Sequence, residues 1–147
     1  MDLMRVVIIG AEGTPYHDGL FFFDVLFPSD YPNVPPRSRA QSEFEAQSLK
    51  YNENTFILSV RTMMYMMKKP PKNFEVLVMG HFYSQAHDIL ASCKAYMEGV
   101  QVGCFVKGEV RDVDKGGRKS SDRFKADLFG YVKLLVQDFE KIGVKDC

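Results

Sequence analysis

Three cysteines, Cys93, Cys104 and Cys147, and three histidines, His17, His81 and His87, are the side chains best suited to nucleophilic or metal chemistry. A cysteine attacks only as an accessible thiolate, and thiolates persist near neutral pH where a neighbouring positive group lowers the thiol pKa. Acyl transfer through a thiol also needs an amide donor aimed at the oxyanion of the tetrahedral intermediate. Cys93 lies in Ile89-Leu-Ala-Ser-Cys-Lys-Ala-Tyr96, close to the apolar stripe of an expected helix, and reads as a small buried hydrophobe. Cys104, between Val102-Gly103 and Phe105-Val106, is expected to be semi-buried, and Cys147 to be a solvated thiol. His81 and His87 stand six residues apart on one expected helix and so point from different faces. No cysteine or carboxylate cluster completes a metal-binding set around them. His17 falls in a turn-rich loop and reads as solvated. Neither a metal nor a cofactor is expected.

These residues must be positioned by a short strand pair and a set of helices. Residues 5–9 form a β-branched run and residues 20–27 an aromatic and aliphatic one. Gly10, Gly13, Pro15, Asp18 and Gly19 lie between them, which predicts antiparallel strands joined by a long loop. On the second strand Phe21, Phe23, Val25 and Phe27 share one face and Leu20, Phe22, Asp24 and Leu26 the other. Both faces are mainly apolar, so the strand is expected to be covered on both sides. Pro28, Pro32, Pro35 and Pro36 then stop regular pairing and hold an extended connection.

Residues 37–50 are polar and read as a linker. Phe56, Val60, Met63, Met64 and Met67 recur at helical spacing over 52–68, with Asn52 or Asn54 as a cap and Pro70-Pro71 as the stop. The methionines 63, 64, 66 and 67 read mainly as a core-facing stripe, with an adaptable docking surface as the alternative. A second helix is expected over 73–97, buried through Phe74, Leu77, Val78, Phe82, Ile89, Leu90, Cys93 and Tyr96 and ended by Gly99. Residues 111–123 are rich in glycine and charge and read as a loop. Phe124, Leu128, Tyr131, Val132, Leu135, Phe139 and Ile142 outline a last amphipathic helix. The fold class is therefore α+β, a hairpin followed by about three helices. A two-stranded hairpin is marginal by itself, and the pattern leaves open whether the helices cover it or it exposes apolar surface.

With 19 basic and 19 acidic residues in 147, the chain suits one domain and has no net charge to draw it to nucleic acid or an anionic membrane. No apolar run reaches membrane-spanning length. The odd, scattered cysteine count and the absence of signal-peptide character point to a reducing compartment, cytoplasmic or nuclear.

The ordered series Gly-x-Glu-Gly-Thr-Pro-Tyr over 10–16, Gly-x-Phe over 19–21 and Phe-Pro-x-x-Tyr-Pro-x-x-Pro-Pro over 27–36 resembles the central hairpin of ubiquitin-conjugating enzymes. A second block, Tyr51-Asn-Glu-Asn-Thr-Phe56, Thr62-Met-Met-Tyr65, Lys69-Pro-Pro71, Phe74-Glu75, His81-Phe82 and Ala95-Tyr-Met-Glu-Gly99, is similar to the C-terminal part of the large plant-type members. That subgroup is related to the hybrid conjugating enzyme–ligases. The resemblance implies a partial form of the family fold, divided as a hairpin with its Pro-rich turn over 1–36, a linker over 37–50 and a helical part over 51–147.

Family members carry a His-Pro-Asn-like tripeptide and then the ubiquitin-accepting cysteine after the Pro-Pro turn. Here Pro36 is followed by Arg37-Ser-Arg-Ala-Gln-Ser-Glu-Phe-Glu-Ala-Gln-Ser-Leu-Lys50, with no cysteine, no His-Pro-Asn and no crossover helix. The first strand also begins without the family's preceding helix, which helps dock the activating enzyme. The resemblance thus implies a ubiquitin-pathway protein that does not form the thioester itself. The alternatives are an active transferase using Cys93 as a substitute nucleophile, and a helical interaction module with a relic hairpin. Pro28, Tyr31, Pro32, Asn33, Pro35 and Pro36 are the implied partner-binding residues, for a ligase, a substrate or a full-length relative. Asn33 stands where RING-using members often carry an apolar residue.

Overall fold

The computed structural model describes residues 2–27, 45–106, 109–110 and 119–147. Along the chain these form β1 (Asp2–Ile9), β2 (Leu20–Phe27), α1 (Glu45–Lys68), α2 (Glu75–Met97), β3 (Phe105–Val106), β4 (Glu109–Val110) and α3 (Asp122–Lys141). The α+β arrangement of a hairpin followed by three helices is the expected one, a partial form of the conjugating-enzyme architecture. The two-residue ribbon β3–β4 was not expected.

β1 and β2 pair antiparallel with Ile9 opposite Leu20, Val6 opposite Phe23 and Asp2 opposite Phe27. The loop between them closes with the Gly10 amide donating to the Gly19 carbonyl at 2.9 Å. Glycine is required at position 10, because a Cβ there would lie 1.7 Å from the Tyr16 carbonyl oxygen.

α1 starts at Glu45, ahead of the expected position 52, so residues 45–50 are helical rather than linker. Their polarity suggested a loop, yet Glu, Ala, Gln, Leu and Lys are all good helix formers. The rest of that stretch lies outside the described residues. α2 and α3 end alike. In α2 the Gly99 amide donates to Tyr96 O and the Val100 amide to Ala95 O, with Gly99 at φ 111°. In α3 Gly143, at φ 97°, donates to Glu140 O and Val144 to Phe139 O. Both are Schellman closures, in which a left-handed glycine satisfies carbonyls that the helix end leaves orphaned.

The core forms among the three helices. Phe56, Val60, Met63, Met64 and Met67 of α1 meet Val78, Phe82, Ala86, Ile89, Cys93 and Tyr96 of α2 and Phe124, Leu128, Leu135 and Phe139 of α3. Three of the four clustered methionines are therefore buried, and Met66 packs partly against the same core. Leu77 departs from the expected stripe and is exposed, while Ala86, unremarked in the sequence, is buried. The Asp138 carboxylate, buried in α3, is held by Lys68 at 3.0 Å and Lys141 at 3.1 Å, which ties the end of α1 to α3.

The hairpin joins this core through one face only. Leu20 is buried, Val7 and Phe22 pack against the helices, and the Phe22 ring meets Phe74 edge-on at 5.2 Å. On the opposite face Met4, Ile8 and Phe23 are about half exposed (46%, 52% and 49%). The expectation that both faces are covered is thus corrected. Three helices suffice for one side of the ribbon, and none of them reaches the other.

Candidate functional site

The loop between β1 and β2 is seated on the helices by a buried polar chain. Asp18 takes the left-handed conformation (φ 62°), which turns its carboxylate back to His17 Nδ1 at 2.6 Å. His17 Nε2 meets the Tyr96 hydroxyl at 3.0 Å, and the Gly103 amide donates to the same hydroxyl at 3.2 Å. His81 Nε2 lies 2.8 Å from the Asp18 carbonyl oxygen. A neutral His17 satisfies every group: Nδ1–H donates to Asp18, and Nε2 accepts the Tyr96 proton, an assignment that follows from the bonding pattern. The His17 ring also stacks on Phe56 at 5.2 Å.

An Asp–His–Tyr series resembles a general-base relay, but its setting favours another role. His17 and Tyr96 are both buried, and burial pushes the Tyr96 phenol up to about 12. A phenol held that high stays protonated near neutral pH and supplies no phenolate to the relay. The series is a polar pin that fixes the loop to α2 and to the turn at Gly103. His17, expected to be solvated, is instead buried. A lone histidine in a turn gives no periodicity from which this could be read, since Tyr96, the group that its Nε2 meets, lies 79 positions away.

A second junction lies between α1 and α3. Glu53, buried, accepts from the Ser121 amide and the Ser121 hydroxyl, each at 2.7 Å. Ser121 caps α3 by accepting from the Phe124 amide at 3.3 Å. In an ordinary capping box the glutamate three residues into the same helix reaches back to the cap amide. That position here is Phe124, needed in the core, and α1 supplies the carboxylate instead. An open cleft of about 570 Å³ adjoins the junction, lined by Lys50, Glu53, Asn54, Ser121, Arg123, Phe124 and Asp127. Its charges are mixed and suit no single anion or cation.

The cysteines occupy the expected environments. Cys93 is fully buried, and burial, with a smaller contribution from Asp18, pushes its thiol up to about 12. Cys104 is half-buried and Cys147 exposed, and burial raises both thiols as well. All three shifts run opposite to those of an activated nucleophile. Among the described residues no group of three or more His, Cys, Asp and Glu side chains can hold a metal, and no helix is long and apolar enough to cross a membrane. The turn residues Pro28, Tyr31, Pro32, Asn33, Pro35 and Pro36 lie outside the described residues.

A protein-family model described as ubiquitin-conjugating enzyme matches residues 1–46. Across nearly its whole length the chain is similar to an Arabidopsis thaliana protein named putative ubiquitin-conjugating enzyme E2 38. The two are 34% identical over 214 positions, covering 99% of this chain and 66% of that protein. Another Arabidopsis protein, probable ubiquitin-conjugating enzyme E2 26, is 33% identical over 214 positions, covering 99% of this chain and 39% of its own. A human dual E2 ubiquitin-conjugating enzyme/E3 ubiquitin-protein ligase, BIRC6, is 41% identical over 56 residues, which is 38% of this chain and 1% of that protein. The chain thus spans about two-thirds of the first relative and well under half of the second. The alignment to the first runs to 214 positions against 147 residues here, so at least the difference, 67 positions, has no counterpart in this chain.

Proposed function

Because the chain belongs to the ubiquitin-conjugating enzyme family, we propose that it serves the ubiquitin pathway as a binding protein that does not itself carry ubiquitin as a thioester. The observation that carries this reading is that at least 67 aligned positions have no counterpart in this chain, the difference between 214 aligned positions and 147 residues. The sequence after Pro36 passes to the helical part without a cysteine, and that is where an acceptor thiol belongs by resemblance. The environments of the remaining thiols support it. Cys93 has no access to a bulky protein substrate, and with its thiol at about 12 it holds on the order of one thiolate in 10⁵ at neutral pH. Transfer through Cys93 would need the α1–α2–α3 core to open first.

Its partners are a ligase, a substrate or a full-length relative, engaged through Pro28, Tyr31, Pro32, Asn33, Pro35 and Pro36. Proline restricts φ, so a proline-rich sequence has less conformational freedom to lose on binding, which favours recognition there. A reducing compartment, cytoplasmic or nuclear, suits a chain whose three cysteines are free.

Incubation with activating enzyme, ATP and ubiquitin, read on a non-reducing gel, tests the reading. No reductant-sensitive adduct is expected. An adduct that disappears with Cys93→Ser, Cys104→Ser or Cys147→Ser overturns it. Substitution of Tyr31 and Pro32 with retained folding tests the binding turn: lost capture of a ligase assigns the contact there, and unchanged capture assigns it elsewhere.

A further inference from the structure

Two adjacent serines precede α3, and the fold treats them differently. Ser120 is buried, and its hydroxyl donates to the Val100 carbonyl at 2.6 Å. Ser121 is exposed and sits in extended backbone (φ −68°, ψ 149°), the last residue before the helix. In the sequence Arg118 and Lys119 stand three and two positions ahead of it. An enzyme that selects substrates by charge recognises such a pair through an acidic subsite beside its acceptor pocket. The residues after Ser121 are also open to approach, since the Asp122 and Arg123 side chains are almost fully exposed.

What the Ser121 hydroxyl touches gives its modification a consequence. It donates to the buried Glu53 carboxylate at 2.7 Å and accepts from the Phe124 amide at 3.3 Å. A phosphate in place of that hydrogen carries about two negative charges at pH 7. It can no longer donate, and it stands against a carboxylate whose burial leaves the repulsion poorly screened. The opposing effect is the N-terminus of α3, which favours an anion, but a helix dipole amounts to only about half a charge. Repulsion from Glu53 therefore prevails. The adjoining cleft, with Lys50 and Arg123 in its lining, gives the group room to turn away. A free anion has nothing to hold it there against Glu53 and Asp127, whereas a tethered one stays where its bond places it.

We propose that Ser121 is the acceptor of a protein kinase selective for basic residues ahead of its serine, and that phosphorylation there breaks the Glu53 junction between α1 and α3. In the transfer the Ser121 Oγ–H bond breaks and Oγ bonds the γ-phosphorus of ATP. The bond from that phosphorus to the bridging oxygen of ADP breaks, ADP leaves, and the hydroxyl proton passes to solvent. Glu53 then loses its bonds to Ser121, and the junction loosens next to Phe124. The Phe124 ring meets Phe56 edge-on at 6.3 Å, and Phe56 carries the stacked ring of His17 at 5.2 Å. The modification thus acts on the side of the core that also seats the hairpin loop.

The full protein is incubated with ATP and the catalytic subunit of a cyclic-AMP-dependent protein kinase, a serine kinase of this charge preference, and the products are mapped by mass spectrometry. Phosphate at Ser121 is expected, with none at that position in Ser121→Ala. Incorporation into Glu53→Ala, which frees the hydroxyl, should be faster by roughly fivefold or more. Phosphorylation should lower the melting temperature of the parent, and in Glu53→Gln leave it unchanged or raise it. Ser121→Asp imitates the charge without the enzyme. Aspartate caps a helix as well as serine does, yet Ser121→Asp should melt below Ser121→Ala in the parent and above it in the Glu53→Gln background. Labelling at Ser120 instead, labelling of the heat-unfolded chain alone, or no labelling overturns the proposal. So does a fall in melting temperature of the same size in Glu53→Gln, or a Ser121→Asp protein as stable as the parent.

Discussion

Replacing Glu53 with alanine removes the carboxylate that both holds the cap of α3 and joins α3 to α1. Two bonds of 2.7 Å are lost, one from the Ser121 amide and one from its hydroxyl. Hydrogen bonds to a charged group contribute about 1.5–3 kcal/mol each. Two effects reduce that sum. Ser121 is exposed, so water replaces part of what its amide and hydroxyl lose. Removing Glu53 also relieves the desolvation of a buried charge. A net loss of about 2 kcal/mol is expected, which for a domain of this size lowers the melting temperature by roughly 4–8 °C. Glu53→Gln keeps an acceptor for the amide but cannot accept both protons, and should lose about half as much. Ser121→Ala removes the cap and one of the two bonds, about 1 kcal/mol or more. Urea denaturation of both single variants and the double variant gives the coupling between the residues, expected at about 1 kcal/mol or above. If Glu53→Ala stays within about 0.5 kcal/mol of the parent, or the two substitutions are additive, the carboxylate is not the keystone of this junction and the reasoning fails.

His17→Phe preserves the stacking on Phe56 but leaves the Tyr96 hydroxyl without its acceptor, and is expected to cost about 2 kcal/mol in chemical denaturation; Tyr96→Phe made in the same background should then cost less than it does in the parent, the remainder being the Gly103 amide that it leaves unpaired. Above pH 9 the unfolded chain ionises Cys93 while the folded chain keeps it protonated up to about 12, so stability present below pH 9 declines between those values, by at most about 4 kcal/mol from this group. Cys93→Ala should lessen that alkaline decline, measured as melting temperature against pH, and leave the part above pH 10 that comes from the buried Tyr96 phenol. At pH 8 a thiol reagent should label Cys147 first and leave Cys93 unmodified until the protein is denatured. Gly130 sits inside α3 with open space where a Cβ would lie, so Gly130→Ala is expected to stabilise by about 0.5–1 kcal/mol, whereas Gly10→Ala should prevent the loop from closing.

The parts of this molecule governed by period were readable in its sequence. The stripes Phe56-Val60-Met63-Met67 and Phe124-Leu128-Leu135-Phe139 place each of those side chains in the core because helical spacing leaves no other face for them. The glycine stop of α2 was equally visible, since only Gly99 meets the left-handed requirement there. What could not be read depends on contacts between distant residues. The burial of His17 requires Tyr96, and the cap of α3 requires Glu53, and neither pairing leaves a local pattern. The start of α1 at Glu45 was hidden for another reason. A mainly polar helical turn and a polar loop have similar hydropathy, and only the helix preference of the individual residues separates them. The uncovered side of the hairpin was a matter of supply: the strand pattern asked for cover on both faces, and the three helices provide it on one.

The pin at His17 also determines how the ribbon moves. Buried Leu20, the seated loop and the bonds to Tyr96 and His81 all act at the turn end of the hairpin. At the far end Asp2 pairs with Phe27 across the ladder. Backbone amides near the turn should therefore exchange with solvent only in rare, large openings, while those toward Asp2 and Phe27 exchange through frequent local fraying. The hairpin is thus anchored both through its loop and through Phe22 against Phe74, and its opening spreads inward from the Asp2–Phe27 pair.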